Sequence, residues 1–235
     1  GIVMGGGVGL SVHGSHRVGT EAVTFAMPET GIGLFPDVGA TYVLPRMAGE
    51  TGLYLGLTGA RLKTPDAHHA GVLTHICPRD RHPALTEALC GAGDTDAILA
   101  DFCEAATGAT LPEHQAEIDR CFAGTSVEDI LGRLASDGSA WANAQANTLA
   151  QKSPTSLKIT FRQLRLGATL EFGDAMRTEF RIVSRVLQGH EFFEGVRAVI
   201  IDKDQAPRWQ PDALDKVSAS DIDAYFAPLD DELDV

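Results

Sequence analysis

The chain has 235 residues, 44% of them hydrophobic and 22% charged, enough for one or two domains with a sizeable core. A formal charge of -13 speaks against the basic face that nucleic-acid binding needs, and no apolar stretch is long enough to span a bilayer as a helix. Cys77, Cys90, Cys103 and Cys121 form neither a CxxC pair nor a zinc spacing. Free, mostly buried thiols in a reducing compartment are therefore expected, the cytoplasm of a bacterium or the mitochondrial matrix of a eukaryote.

In chain order, residues 1–4 read as the end of a strand and 5–14 as a glycine turn opening a short helix. Residues 17–20 and 22–26 are β-like. Residues 28–39 form an apolar-lined loop punctuated by Pro28, Gly31, Gly33, Pro36 and Gly39. Helices are expected over 40–47 and 50–56, around breaks at Pro45 and Gly49. Thr64-Pro65-Asp66 supplies a cap, a first-turn proline and an early acid, so a helix runs to about residue 70. Gly71 stops it, and 72–77 becomes a strand. After Pro78, helical patterns cover 84–90, 95–107, 112–122, 126–136 and 140–152, the fourth opening on the cap-like Ser126-Val127-Glu128-Asp129. Ser153-Pro154-Thr155 opens a further helix to about 167, and a long one spans about 170–187. The proline spacing around Pro207 and Pro211 and the acidic end Asp230-Asp231-Glu232 read as a tail. A mixed first part and a helical second part predict an α/β core over 1–78 and a mainly helical region over 79–235.

The chemistry concentrates between Met27 and Gly39. Glu29 and Asp37 stand eight residues apart in a run that carries no other charge. Ionised carboxylates in apolar surroundings are expensive unless paired, hydrogen-bonded or used, and burial moves their pKa values toward the catalytic range. Upstream, Gly5-Gly6-Gly7-Val8-Gly9 offers backbone N–H groups without side-chain cover, which an anionic oxygen could approach. Two acids and a glycine-lined donor site suit acyl chemistry at a thioester or similar carbonyl. The glycine run has neither the G-x-G-x-x-G spacing nor a phosphate loop, so its plain alternative is a tight turn with close helix packing. For Glu29 that alternative is a capping or salt-bridged acid, and for Asp37 an Asx-turn. No G-x-S-x-G elbow exists. Adjacent His68 and His69 point to different sides of a helix, and His13 and His16 lack a nearby acid, so surface or capping roles are expected. Arg46, Arg61, Lys63, Lys152, Lys158, Arg162, Lys203 and Arg208 could line a pocket for an anionic group despite the negative total.

Three ordered blocks carry a resemblance. They are Gly1–Ser11 with Phe25–Thr30 and Gly33–Gly39; Ser153-Pro154-Thr155-Ser156-Leu157-Lys158-Ile159-Thr160; and Gly195–Asp204 followed by Pro207, Trp209 and Pro211. Together they resemble the crotonase superfamily, and within it the 3-hydroxyisobutyryl-CoA hydrolase branch, over residues 1 to about 211 with a weak middle from 83 to 147. The resemblance implies a crotonase-type ββα spiral, N-terminally incomplete, with a helical C-terminal region. It implies hydrolysis of 3-hydroxyisobutyryl-CoA in valine breakdown, with no cofactor beyond the coenzyme A that the acyl-CoA substrate carries. By the same resemblance Glu29 and Asp37 are catalytic and the N–H of Gly6 is an oxyanion donor. Gly5, Gly7, Phe35 and Lys203 are then substrate-binding, Lys203 at a phosphate.

Gly9 departs from the hydratase branch, which has a second catalytic glutamate there; its absence disfavours hydration of a double bond. The family spiral begins before residue 1, so an upstream segment is expected to supply the early strands and the first oxyanion donor. Without it, an exposed sheet edge and an inactive chain are expected. Another crotonase-fold acyl-CoA hydrolase or isomerase, and a non-catalytic acyl-CoA-binding fragment, stay open. So does a homo-oligomer; neither nucleic acid nor membrane is an expected partner, and no metal is expected.

Overall fold

The computed structural model describes residues 1–235. The chain runs through β1 (Ile2–Val3), α1 (Gly6–Ser11), β2 (Val18–Gly19), β3 (Thr24–Phe25), a 3-10 turn (Glu29–Ile32), α2 (Ala40–Val43), α3 (Thr51–Thr58), β4 (Leu62–Lys63), α4 (Thr64–His69) and β5 (His75–Ile76). It continues through α5 (His82–Leu89), α6 (Thr95–Phe102), α7 (Gln115–Phe122), α8 (Val127–Asp137), α9 (Ala140–Leu149), α10 (Pro154–Gly167), α11 (Phe172–Val186), α12 (Glu191–Val196) and α13 (Ala219–Phe226). No helix is long and apolar enough to cross a membrane.

Two compact units interleave along the chain, Gly1–Ala26 with Arg61–His114, and Met27–Ala60 with Gln115–Val235. This replaces the expected boundary at 78/79. The helices α5 and α6 belong with the strands because Leu85 and Leu99 pack on Cys77 just after β5, joined by Val18, Ile98, Phe102 and Cys103.

In the first unit, β1 pairs parallel with β3, which pairs antiparallel with β4; β2 pairs parallel with β5. The strands are short, and the one expected over 72–77 contracts to His75–Ile76. Thr64 does not cap α4 as its sequence suggests. Its hydroxyl donates to Thr20 O and accepts from Val23 N, tying the helix to the loop before β3. Asp66 leaves the cap as well, accepting from the N–H groups of Thr110 and Leu111. His16 lies between Ser15 and Asp96, the latter 2.9 Å away. Of the four free cysteines, Cys77 and Cys121 are buried, Cys103 is partly buried and Cys90 is exposed.

In the second unit the helix starts follow their capping serines. The hydroxyls of Ser126, Ser139 and Ser153 accept from the N–H three residues on, opening α8, α9 and α10. Every residue of α3 is buried, and its Gly52 and Gly56 leave room for Leu44 and Leu164. On α11 the buried positions are Ala175, Thr178, Glu179, Ile182 and Val186, a helical stripe. Ile182 and Val186 join Phe35, Ile159, Val217 and Ile222 in one core cluster. The expected tail is therefore partly built in: Ser218 and Asp221 form a reciprocal capping box, and α13 packs Ile222 inward.

The 3-10 turn and α12 meet backbone to backbone. A Cβ on Gly33, where φ is 70°, would lie 2.2 Å from Glu191 O, and one on Gly195 would lie 2.3 Å from the Ile32 carbonyl. Neither contact is with a movable side-chain end. Gly195→Ala is thus expected to destabilise the fold by roughly 2–3 kcal/mol or more, seen as a lower urea midpoint at unchanged m-value. A midpoint equal to wild type would contradict this packing.

Candidate active site

Pro28 leads directly into the 3-10 turn, and Glu29 is its first residue. The turn is anchored on both sides. Gly31 N donates to Pro28 O at 2.9 Å and Leu34 N to Glu29 O at 3.0 Å. Buried Thr30 donates its hydroxyl to Leu57 O at 3.1 Å, and its carbonyl accepts from Ser153 N at 3.1 Å. The Glu29 side chain is thereby fixed in the interior, 5% exposed, with Oε2 lacking any hydrogen-bond partner. Burial is the main reason its pKa is pushed up to about 8; the negative charge of Asp37 adds to this, while its own backbone N–H and Lys152 oppose it.

Asp37 is half-buried, and burial raises its pKa too. The following two residues are left-handed, Val38 at φ 55° and Gly39 at φ 87°. For a β-branched residue this is a strained conformation that the surroundings must enforce. They do so with two buried side chains from distant helices. Glu179 of α11 accepts from Gly39 N and Thr41 N, both at 2.9 Å, satisfying the start of α2. Gln163 of α10 donates Nε2 to Pro36 O and to Thr41 Oγ1 at 2.6 and 2.7 Å. Sequence reading missed both residues. The available signal was an acid on the apolar stripe of α11, since a buried carboxylate implies partners.

Phe35, expected at the substrate, is wholly buried in the core cluster with Ile159 and Ile182. It shares that cluster with side chains of α10, α11 and α13. Lys203 lies on an exposed turn at φ 58° after the π turn Arg197–Ile201. Most of that third block is structural: Arg197 pairs with Glu194, Asp202 and Asp204. Trp209 donates to Gln151 O at 3.2 Å, and Glu191 accepts from Ser153 Oγ and Gln210 N.

The glycine run belongs to the first unit. Gly5 takes φ 50° before α1, while the N–H groups of Gly7 and Val8 donate to Met4 O and Gly5 O. Gly6 is outside these turn bonds. A Cβ at 5, 6 or 7 would meet nothing within 4 Å. The tight turn explains Gly5, but close helix packing does not explain this run.

A buried carboxylate with a free oxygen and a second acid held by a dedicated support stand in the second unit, and an exposed glycine turn stands in the first. The enoyl-CoA hydratase/isomerase family model matches residues 1–226. The chain belongs to that family. Its relatives include the mitochondrial 3-hydroxyisobutyryl-CoA hydrolases of Danio rerio, 48% identical over 98% of this chain and 63% of that protein, and of Homo sapiens, 44% identical over 97% and 62%. The chain thus spans about three fifths of the length of these curated relatives. Among solved structures, a carnitinyl-CoA dehydratase from Mycobacterium thermoresistibile superposes with a TM-score of 0.93 at 39% identity, covering 99% of this chain and 67% of that one. An enoyl-CoA hydratase from Rhodobacter sphaeroides 2.4.1 gives 0.88 at 39%, covering 97% and 66%. The fold is therefore the expected crotonase type, seen here as a small, short-stranded α/β part and a dominant helical part.

Proposed function

We propose that this chain carries the catalytic carboxylates of an acyl-CoA thioester hydrolase acting on 3-hydroxyisobutyryl-CoA. The observation that supports this best is Glu29: a buried carboxylate with an unpartnered oxygen, fixed on a turn whose every neighbour is anchored. In one route a Glu29 oxygen attacks the thioester carbon, the C–S bond breaks to release the coenzyme A thiolate, and water hydrolyses the acyl anhydride. In the other, Glu29 takes a proton from the attacking water. Both need Glu29 ionised. The N–H of Gly6 would donate to the oxyanion, with a further donor from an upstream segment, as the family resemblance implies. Lys203 would touch a phosphate of coenzyme A. No cofactor beyond the substrate's coenzyme A enters either route.

Two names compete among the similar proteins, hydrolase and hydratase or dehydratase. Gly9 favours the first, since no carboxylate stands on α1 to act as a second acid. Thiol release from 3-hydroxyisobutyryl-CoA, isobutyryl-CoA and crotonyl-CoA, by the chain together with its expected upstream segment, tests the choice. Faster hydration of crotonyl-CoA than release of thiol from any of the three would reverse it.

Asp37 is assigned to the substrate hydroxyl. Asp37→Asn should therefore cost more on 3-hydroxyisobutyryl-CoA than on isobutyryl-CoA, by roughly 1–3 kcal/mol in kcat/KM, the cost of an unpaired buried polar group. Equal losses on both substrates would leave Asp37 with water activation instead.

A further inference from the structure

The turn after α9 places a cation against the 3-10 turn that opens on Glu29, and the mechanism above does not use it. Gln151 and Ser153, on either side of Lys152, are both pinned. Gln151 O accepts from Trp209 Nε1, Ser153 N donates to Thr30 O, and Ser153 Oγ bonds Glu191. Lys152 itself donates its N–H to Leu149 O at 3.0 Å. With the backbone held at three successive residues, the side chain crosses the 3-10 turn at Gly31. A Cβ there would lie 3.3 Å from Lys152 Nζ and 3.9 Å from Cδ, so the glycine leaves the ammonium its place.

We propose that Lys152 is a positioning residue for Glu29: its ammonium, held over Gly31, is the counter-charge that lets the buried carboxylate ionise for catalysis. The inference rests on the assignment of Glu29 as the reacting acid. Lys152 and Glu29 attract each other, yet no hydrogen bond ties up Glu29 Oε2. An open oxygen is what a reacting carboxylate needs. A direct salt bridge would occupy the oxygen's lone pairs, whereas a cation a short way off stabilises the charge and leaves the oxygen open. Asp37 is the other charge acting on Glu29, and it opposes ionisation; Glu29 is the charge acting on Lys152. Burial lowers the Lys152 pKa, and the Glu29 charge opposes that shift.

The test follows the Glu29 carboxyl by NMR with labelled glutamate, alongside the pH profile of kcat/KM for thiol release, in the chain together with its expected upstream segment. Lys152→Met is expected to move the Glu29 titration and the rising limb of the profile upward by about one pH unit. Activity at pH 7 would then fall roughly tenfold. Lys152→Arg is expected to restore both, which loss of packing alone would not allow. An unmoved titration in Lys152→Met overturns the proposal. Should that variant not fold, the reciprocal measurement decides: Glu29→Gln is expected to lower the Lys152 amine pKa, and an unchanged value overturns the coupling. If Glu29→Gln retains thiol release, the assignment of Glu29 falls. If it is inactive while Lys152→Met leaves the limb in place, only the role of Lys152 falls.

Discussion

Glu29→Gln is expected to lower thioester hydrolysis at least ~10²-fold and, at the same time, to make the protein more stable at alkaline pH. The first effect follows from removing a nucleophile or general base. The second follows from linkage. Burial holds the Glu29 pKa near 8 in the folded state, well above the carboxylate's ordinary value. Below that ordinary value both folded and unfolded chains are protonated at this site, and the stabilising effect of the raised pKa is fully present. As pH rises toward 8 the unfolded chain releases its proton and the folded one does not, so stability is lost by about 1.4 kcal/mol per pH unit. Glutamine has no proton to lose. The variant should therefore gain on wild type between pH 5 and 8 and hold the gain above, roughly 3–5 kcal/mol in all. Urea denaturation at pH 5 and pH 9 reads this out. A stability difference that does not change with pH would mean that Glu29 is not buried in the way described, and turnover above a tenth of wild type would remove it from the mechanism.

Glu179→Ala is expected to be the most damaging single change outside Glu29 and Asp37. It strips the acceptors from Gly39 N and Thr41 N, both buried at the start of α2, and leaves the left-handed Val38 unsupported. Two orphaned donors and a cavity cost on the order of 3 kcal/mol or more. Because the same contacts hold the loop carrying Asp37, the folded fraction should also lose its preference for the hydroxylated substrate. Glu179→Gln keeps the shape and one acceptor and should retain part of both. A Glu179→Ala protein with wild-type urea midpoint and unchanged substrate preference would show that the loop is held by other means.

The features legible along the chain are those whose causes lie close together in it. The starts of α8, α9 and α10 rest on serines bonding three residues ahead, and Glu29 and Asp37 stand out as two charges in an uncharged run. The capping box of α13 is equally local, Ser218 with Asp221, but the flanking prolines and acidic residues mask it as a tail. Helix ends were less readable: the pattern over 95–107 stops at Phe102, where Cys103 turns to extended backbone.

What surrounds Glu29 and Asp37 depends on contacts made across the fold. Glu179 lies 140 residues from Gly39, Gln163 lies 127 from Pro36, and Ser153 reaches back to Thr30. Helical periodicity shows that α11 buries one stripe, but not which backbone N–H groups will face an acid placed on it. The same gap explains Phe35, whose apolar character fits a substrate wall and a core equally well until Ile159 and Ile182 close over it. It explains Lys152 as well, one cation among several along the chain until two flanking backbone anchors aim it across Gly31. A carboxylate's identity is written in the sequence, while its proton affinity is set by neighbours that arrive from more than a hundred residues away and by the water they exclude.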